Sequence, residues 1–217
     1  MVQTLSLILA LLISYLIGSF PTAFLFAKAL KGIDIRQFGS KNVGATNALR
    51  LLGKGPGLTV LFIDILKGLF VTTILADYFL TTLGISLPSK LFFKLCLGLA
   101  AIIGHTYPLT LGFKGGKGVA TSFGVLIGLS LANLVFVKVL GLVALAWLLT
   151  FILTKYVSLS SIIATLVFPL AVYLFIKDSA IFIITLAISI FVFFRHKSNI
   201  IRLLRKEETR LNIFRKP

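Results

Sequence analysis

The chain has 217 residues, 58% of them hydrophobic, with a mean hydropathy of +1.07. A soluble domain of this size cannot bury so much apolar surface, so composition points to a polytopic membrane protein. Lys and Arg total 22 against 6 Asp and Glu, a formal net charge of +16; with no soluble domain to carry a recognition module, nucleic-acid binding is disfavoured. The surplus fits cytoplasmic loops, anionic headgroups or an anionic substrate.

The N-terminus lacks the basic n-region of a signal peptide, so the first apolar run reads as a retained span. A span needs about 20 mainly apolar residues. In chain order the candidates are Leu5 to Phe26, Leu58 to Leu80, Leu91 to Leu111, Val119 to Phe136, Val139 to Leu153, Leu159 to Ile176 and Ala180 to Phe194. A polar, Gly-rich segment from Lys28 to Gly57 follows the first, a turn at Gly84 to Ser89 follows the second, and a basic tail runs from Arg195 to Pro217. The fourth and fifth are short and weakly separated, with a soft break near Asn133. Cys96 is the sole cysteine, which excludes an internal disulfide and a Cys-based metal site.

Seven spans put the termini on opposite sides. One side collects Lys28, Lys31, Arg36, Lys41, Arg50, Lys54, Lys114, Lys117, Lys155 and the basic tail; the other has Lys90, Lys94, Lys138 and Lys177. That asymmetry predicts an outside N-terminus and a cytoplasmic C-terminus. The expected fold is all-α, a single integral-membrane domain over 1–217 with cytoplasmic loops 28–57 and 112–118 and a cytoplasmic tail 195–217.

All the Gly-rich and basic motifs then share one face. The first runs from Asp34 to Arg50. The second is Gly112-Phe113-Lys114-Gly115-Gly116-Lys117-Gly118-Val119-Ala120-Thr121, preceded by Gly104-His105-Thr106-Tyr107-Pro108. The third is Arg195-His196-Lys197-Ser198-Asn199, leading into Arg202. Glycines let a backbone wrap an oxyanion, Ser, Thr and Asn supply neutral hydrogen bonds, and Arg supplies a bidentate fork. The phosphate-binding set drawn from these segments is Gly39, Lys41, Asn42, Gly44, Thr46, Asn47, His105, Gly115, Gly116, Gly118 and Thr121, with Ser158 and Ser161 on the same face. Each motif alone has an ordinary reading: a Gly-Ser-Asn loop is usually a turn, a basic tail an anchor, a lone His a structural residue. Together they favour a site for more than one phosphate.

Several patterns are missing. The residue five before Gly116 is Leu111, which excludes a P-loop. Thr110 and Ile201 stand where a His-x4-Asp acyltransferase pair would need Asp. Carboxylates are scarce, which argues against magnesium-dependent phosphoryl transfer, and no metal or cofactor is expected. Asp64 and Lys67 share a helix face inside the second span, either as a structural ion pair or as a wall of the polar site. A transporter for an anionic solute is the rival of another class, but it would place polar residues at the midplane, often in inverted repeats. A structural membrane subunit would leave the Gly-Lys loop unexplained.

The motif residues Asp34-Ile35-Arg36, Gly39-Ser40, Asn42, Gly44-Ala45-Thr46-Asn47, Arg50, Gly104-His105, Pro108, Phe113 to Thr121, Arg195-His196, Asn199-Ile200 and Arg202-Leu203 resemble the bacterial acyl-phosphate-dependent glycerol-3-phosphate acyltransferases over nearly the whole chain. Gly18-Ser19, Pro21, Asp64, Lys67-Gly68 and Val157-Ser158-Leu159 fit as well. The resemblance implies a seven-span inner-membrane enzyme that passes a fatty acyl group from long-chain acyl phosphate to glycerol-3-phosphate. The products would be inorganic phosphate and lysophosphatidic acid, an early precursor of phospholipids. It implies functional roles for Ser40, Arg50, Lys114, Lys117, His196 and Asn199, membrane lipids as surroundings, and a monomer. The general base is either His196 or a phosphate oxygen of the donor. Two positions depart from the family pattern: Lys41 and Lys206 stand where Gly is usual, the second just before the tail Glu matched here by Glu208.

Overall fold

The computed structural model describes residues 2–81 and 90–211; the turn expected at Gly84 to Ser89 and the tail residues Arg215 and Lys216 lie outside them. Every regular element among the described residues is helical. The chain divides into two compact units, Met1–Ala132 and Asn133–Pro217.

In the first unit, α1 (Val2–Ser19) and α2 (Thr22–Lys31) are two halves of one apolar segment, Gln3–Lys31. Pro21 lacks the N–H that would continue the ladder, so the helix breaks at Phe20–Pro21. Gly32 stops α2 in the left-handed conformation (φ 66°), its N–H donating to Lys28 O. After α3 (Ala45–Leu52) comes α4 (Lys54–Phe70). The polar segment expected over Lys28 to Gly57 is therefore largely helical. Pro56 sits in the first turn of α4, where no N–H is needed, so Gly-Pro-Gly opens a helix and does not end a loop. A π-turn at Val71–Leu75 leads into α5 (Ala76–Thr81). The unit ends with α6 (Lys90–Thr106) and α7 (Val119–Ala132).

α1 packs on α6 and α4 on α7. Both contacts are backbone to backbone. A Cβ at Gly18 would strike the Ala101 carbonyl and one at Gly104 the Tyr15 carbonyl; Gly68 and Gly124 meet Thr121 and Ile65 in the same way. Small residues drive helix association where lipid removes the hydrophobic incentive. A second core gathers Ala23, Ile35, Val43, Ala48, Val60 and Leu111, so the loops before α3 and after α6 are fixed to the same apolar cluster.

The second unit holds α8 (Val135–Thr154), α9 (Val157–Phe175), α10 (Ser179–Phe194) and α11 (Lys197–Leu204). α9 packs against the other three. Lys155 and Lys177 make the two tight turns with φ of 61° and 54°. Asp178 caps α10 by accepting from Ile181 N at 3.0 Å.

Among the described residues, five helical segments are long and apolar enough to cross a membrane, and α10 with α11, bent by 55°, makes a sixth if the pair is counted as one span. The expected fourth span is shorter than the sequence suggested. α7 stops at Ala132, and Asn133 accepts from Val135 N at 2.9 Å to start α8, so the fifth span begins at Val135 and not Val139. Lys94, counted on the outer face from sequence, is instead buried, 2.6 Å from Asp77 Oδ1 and 2.8 Å from Thr72 O. The tail is not a loose anchor up to Leu211. The chain reverses at Lys206 (φ 59°), and Leu211 N donates to Lys155 O at 2.8 Å.

Candidate functional site

The first unit brings the first two motifs together. Asn47, fully buried in α3, organises the loop before it. Its Oδ1 accepts from Ser40 N at 3.0 Å, while Nδ2 donates to Phe38 O and Asn42 O, both at 3.1 Å, and to Ile35 O at 3.3 Å. The amide read from sequence as a substrate contact is thus committed to loop backbone. Gly39 and Lys41 turn the loop with φ of 57° and 59°. A left-handed Lys is strained by about 1–2 kcal/mol, a conformation that glycine adopts freely; Lys206 occupies the same kind of position.

Arg36 ties this loop to the second. It forks onto Asp34, with Nη2 2.7 Å from Oδ2, and its Nη1 donates to Leu111 O at 3.0 Å. The Arg36 hydrogen bond holds the Asp34 carboxyl below its ordinary pKa. Arg36 carries no weight in the sequence reading beyond motif membership; only the fold reveals the bond to Leu111.

The Gly-Lys loop is pinned to the end of α6. Gly115 N donates to Thr106 O at 3.1 Å and Gly116 N to His105 O at 3.0 Å. Those two N–H groups are therefore spent inside the protein, which corrects the expectation that they face phosphate. What they build is a close approach: a Cβ at Gly116 would strike His105 Nε2 and the Val43 carbonyl. His105, Gly116 and Val43 thus mark the meeting point of the two motifs. Lys114 is exposed, and Lys117 is half-buried beside the start of α7. The first N–H groups of α7, from Val119 onward, lack helical acceptors and favour an anion there. Thr121 is fully buried near that start, and its Oγ1 has no partner. Arg50 is half-buried at the last turn of α3, and Thr46, Asn42 and Gly44 lie around the start of the same helix. Gly118 (φ 84°) sets the turn into α7.

Asp64 and Lys67 form an ion pair of 2.6 Å, 2% and 6% exposed. Asp64 Oδ1 also accepts from Thr22 Oγ1 at 3.2 Å, and Lys67 Nζ donates to Phe20 O at 2.6 Å, across the Pro21 break. The same carboxylate lies 3.7 Å from His105 Nδ1. The pair is a structural ion pair, and its Asp64 member lines a small cavity with His105 and Gly115. Thr22 was missed from sequence, and Ser19 entered only through the family resemblance, without a role; the Pro21 inside an apolar run was the available signal.

The third motif belongs to the second unit. His196, buried at the bend between α10 and α11, lies with Nδ1 2.8 Å from Val192 O. A carbonyl only accepts, so Nδ1 carries the proton in that bond and the neutral ring keeps its lone pair on Nε2. Asn199 Nδ2 donates to Glu208 Oε1 at 3.0 Å, and Arg202 Nε to Oε2 at 2.8 Å. Glu208, matched to the family's tail Glu in the sequence despite Lys206, is the clasp that closes this motif. Ser161 Oγ donates to Val157 O at 2.8 Å and accepts from Trp147 Nε1 at 3.4 Å, whereas the buried Ser158 Oγ has no partner.

Residues 8–206 match the family described as Glycerol-3-phosphate acyltransferase. The chain belongs to the glycerol-3-phosphate acyltransferase family. Its curated relatives include the glycerol-3-phosphate acyltransferase of Staphylococcus saprophyticus, 42% identical over 94% of this chain and 98% of the relative. That of Fusobacterium nucleatum is 41% identical over 92% and 95%. Among solved structures, PlsY, an integral membrane glycerol 3-phosphate acyltransferase, is 38% identical in its glycerol 3-phosphate form, with a TM-score of 0.81 over 95% of this chain and 96% of that one. Its lysophosphatidic acid form gives a TM-score of 0.78. As a member of this acyltransferase family the chain is a multi-pass membrane protein of phospholipid synthesis, and the transporter and structural-subunit readings fall away.

Proposed function

We propose that this acyltransferase moves a fatty acyl group from acyl phosphate to the 1-hydroxyl of glycerol-3-phosphate. The observation that carries the reading is the junction in the first unit, where the two Gly-rich motifs, whose segments carry Lys114, Lys117 and Arg50, meet at His105, Gly116 and Val43. Two anions that repel need such a concentration of fixed positive charge to approach. The scarcity of carboxylates fits an already activated acyl donor, in which phosphate is the leaving group and no phosphoryl group is transferred.

In the reaction, the acceptor oxygen forms an ester bond with the acyl carbon, the acyl–oxygen bond to phosphate breaks, and inorganic phosphate departs. The hydroxyl proton passes to a phosphate oxygen of the donor, while His196 acts through its ring as a hydrogen-bonding partner. Ser40 and Asn199 orient substrate oxygens, and the acyl tail lies in the bilayer. Seven spans are supported by the chain order α1–α2, α4–α5, α6, α7, α8, α9 and α10. With Lys94 turned inward, the basic asymmetry between the two faces sharpens, favouring a cytoplasmic site in the inner membrane and an outside N-terminus. The enzyme works as a monomer.

Purified enzyme assayed with glycerol-3-phosphate and acyl phosphate, acyl-CoA or acyl carrier protein tests the donor; turnover confined to acyl phosphate is expected, and equal turnover with acyl-CoA refutes it. His196→Gln tests the proton's destination. Loss of kcat beyond about a thousandfold at unchanged KM would assign the proton to His196.

A further inference from the structure

The cavity at the Pro21 break has a volume of ≈ 10 Å³, about the space of one water. Ser19, Thr22, Asp64 and His105 supply its polar wall. Ser19 is 5% exposed, and its Oγ is buried with no hydrogen-bond partner. A buried hydroxyl left unpaired is costly, so such groups normally find a partner or a water. Asp64 Oδ1 lies 3.7 Å from His105 Nδ1, too far for a direct hydrogen bond and within reach of a bridge. The other end of the same ring, Nε2, is the atom a Cβ at Gly116 would strike. The imidazole therefore reaches from the cavity to the Gly-Lys loop.

We propose that one water in this cavity joins Ser19 Oγ, the Asp64 carboxylate and His105 Nδ1, and that Ser19 and Asp64 are positioning residues acting through His105 on the loop from Gly115 to Gly118. The inference rests on the acyl-transfer reading of that loop. The water accepts the His105 Nδ1 proton in a hydrogen bond and donates to the carboxylate, which fixes the tautomer and the ring plane. Asp64 suits this role because Lys67 and Thr22 already hold its oxygen in place. A ring freed to rotate would crowd Gly116, which has the Val43 carbonyl at its back. The effect belongs on substrate binding, since the loop and not the ring meets phosphate.

Ser19→Ala carries the test, because it removes one hydroxyl and leaves the Asp64–Lys67 pair intact. Kinetics of the purified enzyme with glycerol-3-phosphate and acyl phosphate should show KM for glycerol-3-phosphate raised about three- to tenfold, the loss of one neutral hydrogen bond, with a smaller change in kcat. In a His105→Ala background the same substitution should add nothing further to KM. Imidazole ¹⁵N shifts should move for His105 and stay fixed for His196. An unchanged KM, multiplicative effects of Ser19→Ala and His105→Ala, or an unmoved His105 signal overturns the inference. The wild-type rate in the same assay tests the acyl-transfer reading separately, and the ¹⁵N shifts report on the bridge even without turnover.

Discussion

Two buried lysines in the first unit use one device to different ends. Lys67 and Lys94 each place an ammonium 2.6 Å from a carboxylate and on a backbone carbonyl at a helix irregularity, Phe20 O beside the Pro21 break and Thr72 O in the π-turn. Both repair a ladder interrupted inside an apolar segment, where an unmet carbonyl has no water to turn to. They differ in what surrounds the carboxylate. Asp64 is 2% exposed and faces His105; the Asp77 side chain is 60% exposed. The same ion pair thus faces solvent through Asp77 in one place and a buried cavity beside His105 through Asp64 in the other.

Breaking the two pairs should separate the roles. Lys67→Met leaves a buried carboxylate without its cation, and a stability loss of about 3–5 kcal/mol is expected, read as loss of folded protein in detergent thermal melts. Gly116→Ala strikes the same region from the loop side. It drives a Cβ into His105 and the Val43 carbonyl, and kcat/KM for glycerol-3-phosphate should fall roughly a hundredfold with the fold retained. Lys94→Met, at the other pair, should cost about 1–3 kcal/mol by leaving the buried Thr72 carbonyl without its Lys94 donor. Its turnover per folded molecule should stay near wild type, because Asp77 remains solvated and no motif lies beside it.

The smallest effect concerns the loop tie. Arg36 depresses the folded pKa of Asp34, so the pair stabilises fully above the unfolded carboxylate value. That contribution disappears as pH falls through the depressed folded value. Asp34→Asn should therefore lower the melting temperature at pH 7, and the difference from wild type should shrink in melts taken below about pH 4.

Much of this was legible in the sequence because spans announce themselves by length and apolarity, and the motifs by unusual density of Gly, Lys and Asn. The helix pairs followed from neither. Gly18 and Gly104 are far apart in the chain, and their reciprocal contact appears only when α1 meets α6. Local rules misjudged what long-range packing decides: Pro56 opens a helix, Lys94 turns inward, and Glu208 returns to Asn199 after a reversal at Lys206. Glycine N–H groups were read as phosphate ligands because a sequence does not reveal which donors a neighbouring helix end has already taken. The left-handed φ of Lys41 and Lys206 gives a physical cause for two departures that the sequence could only register.

In the proposed reaction, acyl transfer is coupled to release of the donor's phosphate. The direct measurement is the ratio of inorganic phosphate released to lysophosphatidic acid formed by purified wild-type enzyme given acyl phosphate and glycerol-3-phosphate. One phosphate per product is expected, with release near zero when the acceptor is withheld. Phosphate released without lysophosphatidic acid, or product formed without phosphate, would contradict it.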